Sequence, residues 1–127
     1  MASGVLPGRW GTIGSMRATQ AAFQLFSTKS VPDAIFVAND HMAIAVMDTL
    51  RQGLGLRVPD DVAIIGFDDV PQASWAAYGL TTIKQDANAM IEGTISLLLK
   101  QMASGNTHRE DIVLPPRLIE RTSARQE

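Results

Sequence analysis

The chain has 127 residues, 46% of them hydrophobic and 19% charged, with a formal net charge of −2 at pH 7. That composition is globular rather than disordered, suffices for one core, and carries no electrostatic footprint for nucleic acid or an anionic membrane surface. The absence of cysteine excludes a disulfide framework and thiol chemistry and fits a reducing compartment, and no apolar run is long enough to span a bilayer.

In chain order, residues 1–14 are rich in glycine (Gly4, Gly8, Gly11, Gly14) with Pro7, and read as a loop or the frayed end of a strand. They lack the charged-then-apolar pattern of a signal peptide. Over 15–28, Ala18, Ala21, Ala22, Leu25 and Phe26 recur at helical spacing, and Pro32 blocks continuation. The continuous apolar run Ala34–Ala38 predicts a buried parallel strand. Asp40 is placed to cap a helix over 41–52, with Ala43, Val46, Met47 and Leu50 on one face and Gly53 as its stop. Val62–Phe67 predicts a second buried strand, and 68–80 a connection with room for a short helix. Leu80–Lys84 predicts a third strand or a crossover. Asp86 caps a helix over 87–103, whose apolar stripe is Ala87, Met90, Ile91, Thr94, Ile95, Leu98 and Met102. Two short strands are predicted near 111–114 and 117–120, divided by Pro115-Pro116, and the tail from Thr122 is polar.

Strand and helix in alternation define an α/β layer fold. Right-handed crossovers then bring the tips of the strand-to-helix loops to one edge, and in open α/β sheets that edge is where small molecules bind. Two apolar runs end there in polar residues, Asn39-Asp40 and Asp68-Asp69. An amide at Asn39 can donate to and accept from a ligand hydroxyl, and an ionised Asp68 is an acceptor suited to paired hydroxyls or a ring N–H. Two adjacent carboxylates cannot both be buried without partners, so one of Asp68 and Asp69 faces a ligand and the other solvent or a cap. Asp60-Asp61 precedes its strand and is read as solvated at the opposite edge. Trp10 and Trp75 fall in loops, where an indole can cover core or stack on a sugar face or a base, and Phe67 at a strand end poses the same choice.

Metal, hydrolase and phosphate signatures are missing. His41 and His108 lack ligand spacing, and no nucleophile elbow, P-loop or dinucleotide fingerprint occurs. An Asp40/Asp68 pair is the one constellation that could do acid–base work. The scattered basic residues do not form a recognition-helix pattern.

Five stretches in series resemble the effector-binding domain of LacI/GalR-type transcription regulators. They are Pro32-Asp33-Ala34-Ile35-Phe36-Val37-Ala38-Asn39-Asp40 with Met42-Ala43, Gly55-Leu56-Arg57-Val58-Pro59-Asp60-Asp61-Val62, and Ile65-Gly66-Phe67-Asp68-Asp69. Leu80-Thr81-Thr82-Ile83-Lys84-Gln85 and Pro116-Arg117-Leu118-Ile119-Glu120-Arg121 complete the series. The resemblance implies a partial periplasmic-binding-protein-like (type I) fold, a parallel sheet with flanking helices, whose ligand lies in a cleft between two subdomains. Residues 1–83 would be mostly the carboxyl-terminal subdomain. Residues 84–106 would be a crossover and a helix of the amino-terminal subdomain, and 107–127 return strands and tail. That helix would need another partner for its stripe: a rearranged core, a second chain or an unseen piece.

By the same resemblance Asn39, Asp68 and Gln85 hydrogen-bond an effector, a sugar or purine-like molecule, while Trp10 packs against it and Phe67 lies beside them. Met42, Met47, Val70 and Trp75 would line a homodimer interface. The chain would be a cytoplasmic sensing module and not an enzyme, with no cofactor, no metal and no membrane contact. It would reach operator DNA only through a helix-turn-helix that this sequence lacks. A sugar-binding protein of a transport system is the alternative on the same fold. Relative to the family pattern there is one extra residue in Gly53-Leu54-Gly55-Leu56.

Overall fold

The computed structural model describes residues 14–105 and 110–125. Helix α1 (Ser15–Phe26) is followed by strand β1 (Ala34–Phe36), helix α2 (Asp40–Asp48), β2 (Ala63–Phe67), β3 (Thr81–Lys84), helix α3 (Ala87–Ser104) and β4 (Arg117–Ile119). The strands form one sheet in the order β1-β2-β3-β4, with the first three parallel and β4 antiparallel to β3. The predicted strand near 111–114 does not form: that segment is irregular, and Ile112 and Val113 are exposed. Its apolar letters look strand-like, but among the described residues no strand pairs with it.

The core lies between the helices and one face of the sheet. Ala43, Val46, Met47 and Leu50 all point inward from α2 and the turn after it, as the helical spacing predicts. They meet Ala18 and Ala22 of α1, and Val62, Ile64 and Leu80 from the sheet side. Met47 has no exposed surface. It is therefore a core residue and cannot meet a partner subunit, which corrects its assignment to an interface. Met42 and Val70 are half-buried against the same core, and Trp75 is exposed.

Helix α2 runs into a π-helical turn at Thr49–Gly53, closed by Leu54 N–H donating to the Thr49 carbonyl at 3.2 Å. A π turn accommodates one residue more than an α turn. It lies directly before the segment with the extra residue, and Leu50 stays fully buried through it.

The strands were expected to be buried on both faces. Pairing Phe36 with Ile65, Ile65 with Thr81, Phe67 with Ile83 and Ile83 with Leu118 puts these residues on one face of the sheet. On that face Phe36 is 61% exposed and Leu118 50%. Among the described residues the helical cover lies on the opposite face, where α2 packs on β2 and α1 packs in turn on α2. Helix α3 contributes no buried residue; Ile91, Ile95, Leu98, Leu99 and Met102 are all exposed. Its ends follow the sequence: Asp86 accepts from the Ala89 N–H at 3.0 Å, and Gly105 takes the left-handed conformation (φ 59°) that ends the helix.

Candidate functional site

The parallel strands deliver three polar residues to one edge of the sheet. Val37 N–H donates to the Ile65 carbonyl at 2.8 Å, so the chain leaving β1 toward Asn39 runs beside the chain leaving β2 toward Asp68. Asp68 N–H in turn donates to the Ile83 carbonyl at 2.9 Å, next to the exit of β3 toward Gln85. The Gln85 Nε2 stands 3.5 Å from Asp68 Oδ1, a long contact at the limit of a hydrogen bond. Phe67 is half-buried immediately before them. Trp10 lies outside the described residues.

The roles of Asn39 and Asp40 differ from the expected ones by one position. Asn39 is the cap of α2: its backbone is extended and its Oδ1 accepts from the Met42 N–H at 2.9 Å. Its Nδ2 group is the part left to donate elsewhere. Asp40, expected to cap, lies one residue inside the helix with no exposed surface. Its Oδ1 accepts from Thr82 Oγ1 at 2.6 Å and its Oδ2 from the Val70 N–H at 3.0 Å. Burial and full engagement also exclude Asp40 as half of an acid–base pair with Asp68, since no substrate proton can reach it.

Neighbouring Asp68 and Asp69 separate as charge balance demands. Asp69 is side-chain buried to 10% exposure and receives Arg121 Nη2 at 2.7 Å and Lys84 Nζ at 3.1 Å. Its burial alone would push the carboxyl up, but the hydrogen bonds and charges of Arg121 and Lys84 outweigh this and hold it below the usual carboxylate range. Asp68 is exposed. Both residues have positive φ, 119° at Asp68 and 54° at Asp69, a region that side-chain-bearing residues rarely occupy. Such strain persists only where surrounding contacts over-determine it. Here the contacts are the Asp69 ion pairs and the Asp40 bond to Val70. At the other edge, Asp61 is not simply solvated: hydrogen bonds from the Arg57 side chain and backbone bring its carboxyl down to about 2.

Two residues of this region were given no role by the sequence reading, although Arg121 ends the last of the family-like stretches. Arg121 reaches the Leu80 carbonyl (2.8 Å) with Nη1 while Nη2 holds Asp69. Ser123, in the supposedly polar tail, is fully buried. Its hydroxyl donates to the Ile64 carbonyl at 2.6 Å and accepts from the Thr81 N–H at 2.8 Å, bridging β2 and β3 at the end where their pairing begins. A depression of about 670 Å³ along α1 is lined by Met16, Phe23 and neutral polar residues and has no charged group to orient a ligand. Among the described residues no three or more His, Cys, Asp or Glu side chains are grouped to hold a metal, and no helix is long and apolar enough to cross a membrane.

An open, mostly parallel sheet flanked by helices, with Asn39, Asp68 and Gln85 gathered at its carboxyl edge, places the chain in the α/β class. The chain belongs to the periplasmic binding protein-like domain family, which matches residues 6–124, and its likenesses within that family are LacI-type repressors. It is 36% identical over 108 residues to the HTH-type transcriptional repressor PurR of Photobacterium profundum, covering 85% of this chain and 32% of that protein. It is 39% identical over 101 residues to the ribose operon repressor of Escherichia coli K12, covering 80% of this chain and 30% of the repressor. The crystal structure of the Lac repressor dimer bound to operator and the anti-inducer ONPF superposes with a TM-score of 0.76 at 33% identity, covering 87% of this chain and 38% of the other. The chain thus spans about a third of the length of the curated relatives it matches.

Proposed function

We propose that the chain is the carboxyl-terminal part of the effector-binding domain of a LacI-type transcription regulator. The effector is a small polyhydroxylated or purine-like molecule held at the carboxyl edge of the sheet. Asp68 accepts from its hydroxyl or ring N–H groups, Gln85 hydrogen-bonds in both directions, and Asn39 donates through Nδ2 because its oxygen is engaged in the cap. Phe67 offers an apolar edge, and Trp10 a stacking surface. The supporting observation is the division of labour between Asp68 and Asp69: one carboxylate is neutralised by two cations while its neighbour stands free and exposed on a strained turn.

In this reading α3 and the 110–114 segment belong to a second subdomain, which covers the apolar stripe of α3. Met42, Val70 and Trp75 face a second copy of the protein. The regulator works in the cytoplasm, and effector binding shifts the balance between two subdomain arrangements, changing operator affinity by a coupling of ~1–3 kcal/mol.

The test uses the full-length protein. Asp68→Ala removes one or more charge-assisted hydrogen bonds, about 1.5–3 kcal/mol, so effector affinity falls roughly ten- to a hundredfold. Operator affinity without effector stays within about twofold. Parallel loss of both activities points to a folding defect and sinks the assignment.

A further inference from the structure

Asp40 has a buried carboxylate without a capping job, since Asn39 performs that task. Burying such a group is costly unless both oxygens are satisfied. Its two acceptors are spent on two other elements: Thr82 in β3 and Val70 just past the Asp68-Asp69 turn. The Thr82 hydroxyl oxygen is also 3.4 Å from the Asp69 N–H, so the same side chain lies against the turn from beneath. The sheet makes room for this. Gly66 lies where any Cβ would collide with the Asp40 carboxylate.

We propose that Asp40, acting through Thr82 and Val70, is a positioning residue that sets the positive-φ turn and so aims Asp68 at the ligand before the ligand arrives. The inference rests on the effector-binding reading for its purpose, though not for its geometry. The turn is gripped at two points. Arg121 and Lys84 hold the Asp69 carboxylate, and Asp40 holds the backbone that follows. Asp68 sits at the start of the gripped segment, and among the described residues its carboxylate has the long Gln85 contact. Releasing the Asp40 grip allows φ at Asp68 and Asp69 to relax toward ordinary extended or helical values, and the carboxylate swings away from the edge. A preorganised group binds more tightly because its ordering is not charged to the binding step.

The experiment uses the full-length protein with carbon-13-labelled aspartate, whose backbone carbon shifts report φ, and D-ribose as the probe ligand. Thr82→Val keeps shape and burial but removes the hydroxyl, Thr82→Ser keeps the hydroxyl, and Asp40→Asn keeps one acceptor. The Asp68 and Asp69 signals should move in Thr82→Val and return in Thr82→Ser. D-ribose affinity should fall roughly tenfold and recover in the same pattern, with helical content unchanged. Unmoved Asp68 and Asp69 signals in both Thr82→Val and Asp40→Asn overturn the proposal, whatever happens to affinity or melting temperature. If the unaltered protein does not bind D-ribose, ribose is not its effector, and the aspartate signals still decide whether Asp40 sets the turn.

Discussion

At the scale of single residues, the Asp68-Asp69 pair shows how adjacent, identical side chains come to opposite uses. Asp69 is committed to Arg121 and Lys84, and the linkage follows from the direction of its shift. A carboxyl whose folded-state pKa lies below its ordinary value of about 4 stabilises the fold fully above that value. The contribution is lost as pH falls through the unfolded value and on through the depressed folded one. Asp69→Asn should therefore destabilise by about 1–3 kcal/mol at pH 7, with a gap from the parent that narrows steadily below about pH 4, measured by denaturant unfolding across pH. A gap that is constant with pH would mean that the clamp works by shape rather than charge. The sequence could place a carboxylate pair at this edge and state that the two must differ. It could not say which would be paired, because Arg121 is 52 residues away along the chain. Ser123 was illegible for the same reason: a buried serine bridging two strands has no local pattern. The cap expected of Asp40 fell to Asn39 because both are good cap residues, and only the true start of the helix separates them.

At the scale of elements, strands and helices were legible wherever one chain segment carries its whole signal. The apolar runs of β1 and β2 form strands, though β1 is not buried as expected, and the inward positions of α2 with the turn after it and the Asp86 cap of α3 form as the pattern dictates. The strand at 111–114 failed because strand formation needs a partner that local letters do not specify. Within β2, Gly66 is a requirement of packing: its missing Cβ is the space occupied by Asp40. Gly66→Ala should cost about 1–3 kcal/mol through overpacking, despite alanine's ordinary compatibility with a strand, as read by urea unfolding. Helix α3 behaves in the opposite way. Ile95 and Leu98 are each about half exposed, at 52% and 54%. In the isolated 127-residue chain, Ile95→Gln and Leu98→Gln should shift stability by less than about 1 kcal/mol, whereas Leu50→Ala in the core should cost about 2–5 kcal/mol. Comparable losses at all three positions would show that the stripe of α3 is already covered in solution.

At the scale of the whole molecule, the described residues leave two apolar surfaces uncovered, the sheet face bearing Phe36 and Leu118 and the stripe of α3. Parallel sheets are stable chiefly when both faces are covered, so these surfaces are where further protein belongs in the proposed regulator. The same incompleteness governs binding. In the proposed regulator the edge carrying Asn39, Asp68 and Gln85 is one wall of a cleft, and a pocket that binds small molecules tightly encloses most of the ligand surface. With one wall, a sugar keeps much of its hydration and gains only the hydrogen bonds on that side. Each missing bidentate or charged contact from the facing wall is worth about 1.5–3 kcal/mol, so two of them weaken a micromolar site by roughly a hundredfold or more. The isolated chain should therefore bind D-ribose, or whichever sugar the full-length protein prefers, at least about a hundredfold more weakly than the full-length protein does, as measured by calorimetric titration. Asp68→Ala should then abolish what remains. Equal affinity in the isolated chain and the full-length protein would mean that these residues form a complete pocket by themselves. The coupling of ligand to subdomain closure, and with it the sensing role, would then lose its physical basis, because a ligand that touches only one subdomain has no differential affinity for two arrangements of the pair.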